Sequence, residues 1–297
     1  MTMCSSLTLL CVTLTLGSAL SASVVDSGSN TLLGTDQLPD SQGGNDGNFK
    51  YPVRNPGVSD ADKKVIVDMH NRYRRIIGHD AANMMKVSWD DDIARSAQKH
   101  AETCSFHHDP LANRWISGLP GVYIGQNMCA GNQDWQECID AWYKEKDNYQ
   151  YGEGAKTLSW NEIGHYTQLA TWHVSRIGCG YAECEGRKDR TSFVCNYAYG
   201  QFYDDVLRPF LNGTSCGACP NTCDNGLCDC GGKICNNFGT LDLNTCTCSC
   251  LKFYTGDTCQ TTLCSVTEHT SCSRHAKDEC TNGVNIAALC PHHCGRC

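Results

Sequence analysis

Gly164-His165-Tyr166-Thr167-Gln168-Leu169-Ala170-Thr171-Trp172 is the stretch on which the reading of this chain turns. His165, Gln168, Leu169 and Trp172 fall at i, i+3, i+4 and i+7, the spacing of one face of a short helix. Gly164 reads as its entry turn, and Arg176-Ile177-Gly178-Cys179-Gly180-Tyr181 behind it reads as a strand. The pattern therefore presents a histidine on the first turn of a packed helix. A single histidine so placed is more often a satisfied core or surface group than a ligand. It acquires chemical meaning only with partners from elsewhere in the chain.

Working outward, helical and strand patterns alternate. Ser59 or Asp60 caps a helix with Ile66, Met69, Tyr73 and Ile76 or Ile77 on one face, ended by Gly78. Ser88, with Asp91 three residues on, predicts the start of a second helix carrying Ile93, Ala97, His100, Ala101 and Cys104. Val122 to Met128 reads as a strand. Gln133 to Tyr149 reads as a third helix whose stripe holds Trp135, Ile139, Trp142 and Tyr143 or Lys146, with Glu145 beside it. Two more strands follow, near Ile177–Tyr181 and Ser192–Tyr199. This interleaving predicts an α+β fold in which helices cover both faces of a short sheet, an α/β/α sandwich.

The 297 residues hold 24 cysteines, and 16 of them lie between Cys216 and Cys297. That region is too polar to bury a core of its own, so its cysteines read as disulfide staples. Residues 1–21 explain how they would be oxidised. An apolar run from Leu7 to Leu20 ends in Ala19-Leu20-Ser21, the form of a secretory signal peptide, although its start carries no Lys or Arg. A membrane anchor needs about 20 apolar residues, and this run is shorter and rich in Ser and Thr. Its removal would take away Cys4 and Cys11 and leave an even 22 cysteines. Residues 22–57 are poor in apolar side chains and read as an extended arm or pro-segment. The net charge of -8 gives no basis for nucleic acid or an anionic membrane as partner. No later segment is long and apolar enough to be a transmembrane span. The sequence therefore predicts a secreted protein.

Five segments carry a resemblance: Ile66 to Arg75 (Ile-Val-Asp-Met-His-Asn-Arg-Tyr-Arg-Arg), Ser88-Trp89-Asp90-Asp91, Cys104-Ser105-Phe106-His107-His108, Gly164-His165-Tyr166-Thr167-Gln168, and Phe193-Val194-Cys195-Asn196-Tyr197. In order and spacing they resemble the CAP superfamily of cysteine-rich secretory proteins, antigen 5 and pathogenesis-related proteins, over residues 58–211. The resemblance implies a shallow cavity with two histidines and two acidic residues. His108, Glu145 and His165 match three of these positions. The fourth departs: the family's Gly-Glu-Asn is here Gly125-Gln126-Asn127, and an amide brings hydrogen bonds but no charge. A second departure is Thr171, where the family has tryptophan, with Trp172 following one position late.

The implied roles are metal binding at His108 and His165, with zinc or another divalent cation as cofactor, and catalysis by His108, Glu145 and His165. Glu145 would be either a third ligand or a base acting through a metal-bound water. No His-Glu-x-x-His helix is present to fix such a set. The bland alternative is a solvated polar pocket whose groups satisfy one another.

By resemblance Cys104 pairs with Cys184 and Cys179 with Cys195, and arithmetic leaves Cys129 for Cys138. Asn212-Gly213-Thr214 is an N-glycosylation sequon. Residues 212–232 resemble the hinge that follows CAP domains. Residues 233–260 end like an EGF-like module, implying Cys250–Cys259, and lack the acidic run that would bind calcium. Residues 261–297 resemble a ShKT module, implying Cys264–Cys297, Cys272–Cys290 and Cys280–Cys294. The pairing of the other cysteines from Cys216 to Cys248 stays open. The Lys-Tyr pair with which some such modules block potassium channels is missing from Thr281 to Leu289, although Arg274, Lys277 and Arg296 leave a basic surface.

The module order is similar to that of cysteine-rich venom proteins of cone snails. It implies a secreted protein that recognises an extracellular target, an ion channel or a receptor. The alternatives are an endoprotease cleaving toxin precursor peptides in the CAP cavity, and sterol or lipid binding.

Overall fold

Helix α1 (Asp60–Ile77) forms where the stripe of Ile66, His70, Tyr73, Arg74 and Ile77 can be buried, and its ends are chemically marked. The Ser59 hydroxyl accepts the Asp62 amide, and Gly78 closes the last turn onto Arg74 and Ile76. The computed structural model describes residues 51–297 except 158, 189 and 283. The expected signal peptide, and the arm as far as residue 50, lie outside the described residues.

Five strands make the central sheet. Strands β1 (Val53–Arg54), β6 (Arg176–Cys184), β7 (Thr191–Ala198) and β3 (Ile124–Ala130) lie side by side in that order, all antiparallel. Strand β2 (Ser88–Trp89) pairs parallel with β6 at Arg176 and Ile177. A small hairpin, β4 (Tyr149–Gln150) with β5 (Gly154–Ala155), stands apart.

On one face lie α1, α3 (Trp135–Lys144) and α4 (Gly164–Ala170), packed on Ile177, Cys179, Phe193, Cys195 and Tyr197. On the other lies α2 (Asp91–Ala101), with Ala97 and Ala101 against Ala182 and Val194. Gly178 and Gly180 permit this close approach. A Cβ at Gly178 would sit 2.1 Å from the Ala94 nitrogen, and one at Gly180 2.3 Å from the Gln98 Cα. The result is the three-layered α/β/α sandwich, with a short fifth helix, α5 (Tyr203–Leu207), closing one end.

Several expectations are corrected. Ser88 does not cap α2. It belongs to β2, and Asp90 is the cap, accepting the amides of Asp92 and Ile93. Trp172 is not on the face of α4, because the helix ends at Ala170. Arg74 explains the stop: its guanidinium takes the carbonyls of Leu169, Thr171, Trp172 and Val174. The third helix ends at Lys144 and tightens into a 3-10 turn, Glu145–Asn148. The sheet starts upstream of residue 58, with Val53 opposite Cys184 and Arg54 paired to Glu185.

Eleven disulfides link described cysteines. Cys104–Cys184 ties the end of α2 to the end of β6, Cys179–Cys195 joins β6 to β7, and Cys129–Cys138 joins β3 to α3. In the tail the bonds are Cys216–Cys223, Cys219–Cys228, Cys230–Cys246, Cys235–Cys248, Cys250–Cys259, Cys264–Cys297, Cys272–Cys290 and Cys280–Cys294. Cys230–Cys246 crosses the expected hinge boundary at 232.

The tail does not hang free. Leu227 is fully buried in the main core with Ile77 and Met84. Lys86 and Met84 exchange backbone bonds with Cys228, and Lys86 Nζ reaches Asp224 and Asp229 at 2.6 and 2.7 Å. Among the described residues no helix is long and apolar enough to cross a membrane.

Candidate functional site

Strand β3 is the edge of the sheet, so groups from both helical layers reach it. Alternation along the strand sends Gln126 to the α2 face and Asn127 to the α1/α3 face. Each meets one of the two expected histidines.

Gln126 is almost fully buried, and its amide makes three hydrogen bonds. Its Oε1 accepts the Asp109 amide and the His108 ring nitrogen Nδ1, each at 3.0 Å. Its Nε2 donates to Asn196 Oδ1 at 3.0 Å, directly across the ladder on β7. Asn196 in turn donates to Ser96 Oγ of α2. Because Oε1 receives a backbone N–H, the amide orientation is determined. His108 Nδ1 must therefore carry the hydrogen it donates, which leaves Nε2 as the ring atom with the lone pair in the neutral imidazole. Asp109 also accepts from Asn113 and lies 3.7 Å from His100, whose pKa burial pushes below the ordinary value.

Glu145 lies just beyond α3, and its carboxylate faces the start of α4. That helix begins after Ile163, which has no side-chain oxygen with which to cap it. Glu145 replaces the missing cap: Oε2 accepts the amides of His165 at 2.8 Å and Tyr166 at 3.0 Å. Oε1 accepts His165 Nδ1 at 2.6 Å. The His165 ring stacks on Trp142 at 6.1 Å between centroids and 16° between planes, and Trp142 is fixed by its indole bond to Met128. Asn127 donates to the His165 carbonyl at 3.0 Å.

The arrangement thus holds two imidazoles with their Nδ1 atoms anchored and their rings oriented. Oriented imidazoles with an acceptor on the second nitrogen are what a divalent ion requires of its ligands. The donor set stops there. Among the described residues no group of three or more His, Cys, Asp or Glu is placed to hold a metal. Glu145, expected as a ligand or base, has three donors converging on its two oxygens; it positions His165. His108 meets Gln126 through its ring and His165 meets Asn127 through its backbone carbonyl, so both are tied to neighbouring residues of β3. Thr171 is wholly buried, its hydroxyl bonded to the Thr167 carbonyl, and Trp172 packs beneath the tail with Met85 and Leu243.

Sequence reasoning did not single out Asn127, Asn196, Ser96 or Trp142 for the site. The quoted segments held Asn127 and Asn196, but their partners lie across strands and are invisible in spacing.

The model of the cysteine-rich secretory protein family, CAP, matches residues 67–197. A cysteine-rich venom protein, Mr30, of Conus marmoreus is 38% identical over 248 residues, covering 79% of this chain and 80% of the relative. Among solved structures, venom allergen-like protein 4 of Schistosoma mansoni is similar with a TM-score of 0.45 at 22% identity, over 52% of this chain and 97% of that one. NaASP2, crystallised with Zn2+, gives a TM-score of 0.45 at 22% identity, over 60% and 100%. The extent of the match to the venom protein places this chain in the CAP family of cysteine-rich secretory proteins.

Proposed function

We propose that this is a secreted venom-type protein that binds an extracellular protein target, a channel or a receptor, with no chemical step. The observation that carries this reading is the state of the two acidic positions. One is an amide, Gln126, hydrogen-bonded to three groups, His108, Asp109 and Asn196, and the other, Glu145, is occupied by a helix start and His165. Neither is disposed as a spare base. A rigid, heavily cross-linked body with a tail fused to it suits recognition. The venom-protein relative supports an extracellular setting. In this reading the tail modules, EGF-like and ShKT, supply contact surface, and Asn212, exposed in its sequon, carries an N-glycan.

A second reading has one observation in its favour. His108 and His165 each have Nδ1 anchored, the orientation that imidazole ligands of zinc or another divalent cation adopt, with water as the remaining ligand. When bound, such an ion would polarise a carbonyl or activate water for cleavage of a toxin precursor peptide. His108 and His165 would hold it, and Gln126 and Glu145 would orient the rings.

One experiment separates the readings. Recombinant protein and the variant His108→Ala/His165→Ala are tested for cleavage of precursor peptides, with and without chelator, and for saturable binding to target membranes. Target binding is expected to survive the double change, with no cleavage by either protein. Chelator-sensitive cleavage lost in the variant would replace the binding reading with the enzymatic one, and uptake of extracted lipid alone would overturn both.

A further inference from the structure

The segment between His108 and β3, residues 109–123, carries little regular structure, only the 3-10 turn Leu111–Asn113. It nevertheless sets the position of His108. Asn113 donates to Asp109 Oδ1, the Asp109 amide donates to Gln126 Oε1, and that same oxygen receives His108 Nδ1. Anything that fixes residues 113–122 therefore fixes His108.

Much of what fixes them comes from the tail. Ile116, Leu119 and Val122 form a small separate core with Ile93 and Ile124, and the tail residue Ile234, 3% exposed, completes it. The Asn237 amide donates to the Pro120 carbonyl at 2.8 Å. Gly121 has φ +73 and lies so close to Asn237 that a Cβ there would be 2.5 Å from its Cα. At the far end of the chain, the Arg296 guanidinium stands 5.9 Å from the Trp115 ring centre and donates to Asn237 Oδ1 at 3.0 Å. The neighbouring Cys297 is held by its disulfide to Cys264, and the helix Glu279–Asn282 lies against the Leu111–Asn113 turn.

We propose that the cysteine-rich tail is a positioning element for one half of the site: Ile234 and Arg296 hold the 109–123 loop, and through it the His108 imidazole, in register with Gln126. His165 takes its position from Glu145, Trp142 and Asn127, none of which is in the tail. The two histidines should therefore respond differently to damage in the tail. This rests on the second reading, in which His108 and His165 are the functional pair. It is tested on the rings themselves, so its outcome does not depend on which ligand they serve.

The measurement is histidine-ring NMR on the full chain, following the His108 and His165 resonances in Arg296→Ala, Ile234→Ala and the conservative Ile234→Val. Lys233→Ala, which removes the tail's ion pair with Asp257, serves as control. In Arg296→Ala and Ile234→Ala the His108 signal is expected to move by more than its linewidth or to broaden, with His165 unmoved. Ile234→Val and Lys233→Ala should reproduce the parent spectrum. Equal displacement of both histidines would reduce the tail to a general stabiliser and overturn the proposal, as would an unchanged His108 in Arg296→Ala. Should Ile234→Ala fail to fold, Arg296→Ala, at a half-buried position, decides alone.

Discussion

Arg74 carries its charge into the interior and meets backbone carbonyls there. Its five N–H groups reach Met85, Leu169, Thr171, Trp172 and Val174, and burial lowers its pKa to about 9. A planar fork with five donors can span these oxygens, whereas an ammonium has three. Arg74→Lys should leave two buried carbonyls unpaired, at about 1–3 kcal/mol each. Urea unfolding with the disulfides intact reads that loss, and a variant within 0.5 kcal/mol of the parent, about the scale of a surface change, would mean that water replaces the guanidinium. Gln126 offers the second residue-scale prediction. Gln126→Glu puts a carboxylate against His108 Nδ1, which favours the imidazolium. The His108 pKa should rise above that of the parent by about one pH unit or more. The new oxygen would face Asn196 Oδ1, so Asn196 must turn its amide, and the Ser96 hydroxyl can then donate to it. An NMR titration in which His165 stays fixed while His108 moves is the expected result.

At the scale of elements, α1 holds a histidine that cannot charge without cost. His70 donates Nδ1–H to the Ile66 carbonyl at 2.7 Å and accepts from the Tyr197 hydroxyl at 3.0 Å, and burial lowers its pKa to about 4. In the unfolded chain the value returns to about 6.5. Between these values the unfolded state binds the proton and the native state does not. The stability contribution is therefore complete above pH 6.5 and is lost as pH falls towards 4, by up to about 3 kcal/mol. His70→Gln should flatten that slope by about one proton, while His100 and His173, also lowered by burial, keep their share. An unchanged slope in denaturation curves from pH 4.5 to 7 would remove His70 from the account. The same helix shows what a sequence discloses. Ser59 and Gly78 mark its ends because caps are local chemistry, and the stripe on α2 was readable because its period is local too. Ser88 misled because a cap pattern is also satisfied two residues later, by Asp90, once β6 has claimed Ser88. The end of α4 was unreadable, since it is imposed by Arg74 from 95 residues away. For the site, the resemblance named His108, Glu145 and His165, but spacing could not show that Glu145 spends its oxygens on the α4 amides.

At the scale of the whole molecule, the tail and the sandwich share one core. Leu227, at 0% exposure, belongs to the tail in sequence and to the cluster of Ile77, Met84 and Val87 in space. Two short disulfides, Cys216–Cys223 and Cys219–Cys228, hold it there. Modules joined by a loose hinge would melt separately, whereas a buried residue donated across the boundary couples their unfolding. Leu227→Ala should therefore cost about 2–5 kcal/mol, the range for a leucine cavity in a core, and the cost should fall on the entire molecule. Calorimetry should show one endotherm displaced to lower temperature. A trace that splits, with the sandwich transition unmoved, would make the tail an independent appendage. A single transition carries a functional consequence: a target that touches both parts meets them in one fixed geometry, so binding should gain from the absence of a hinge to order.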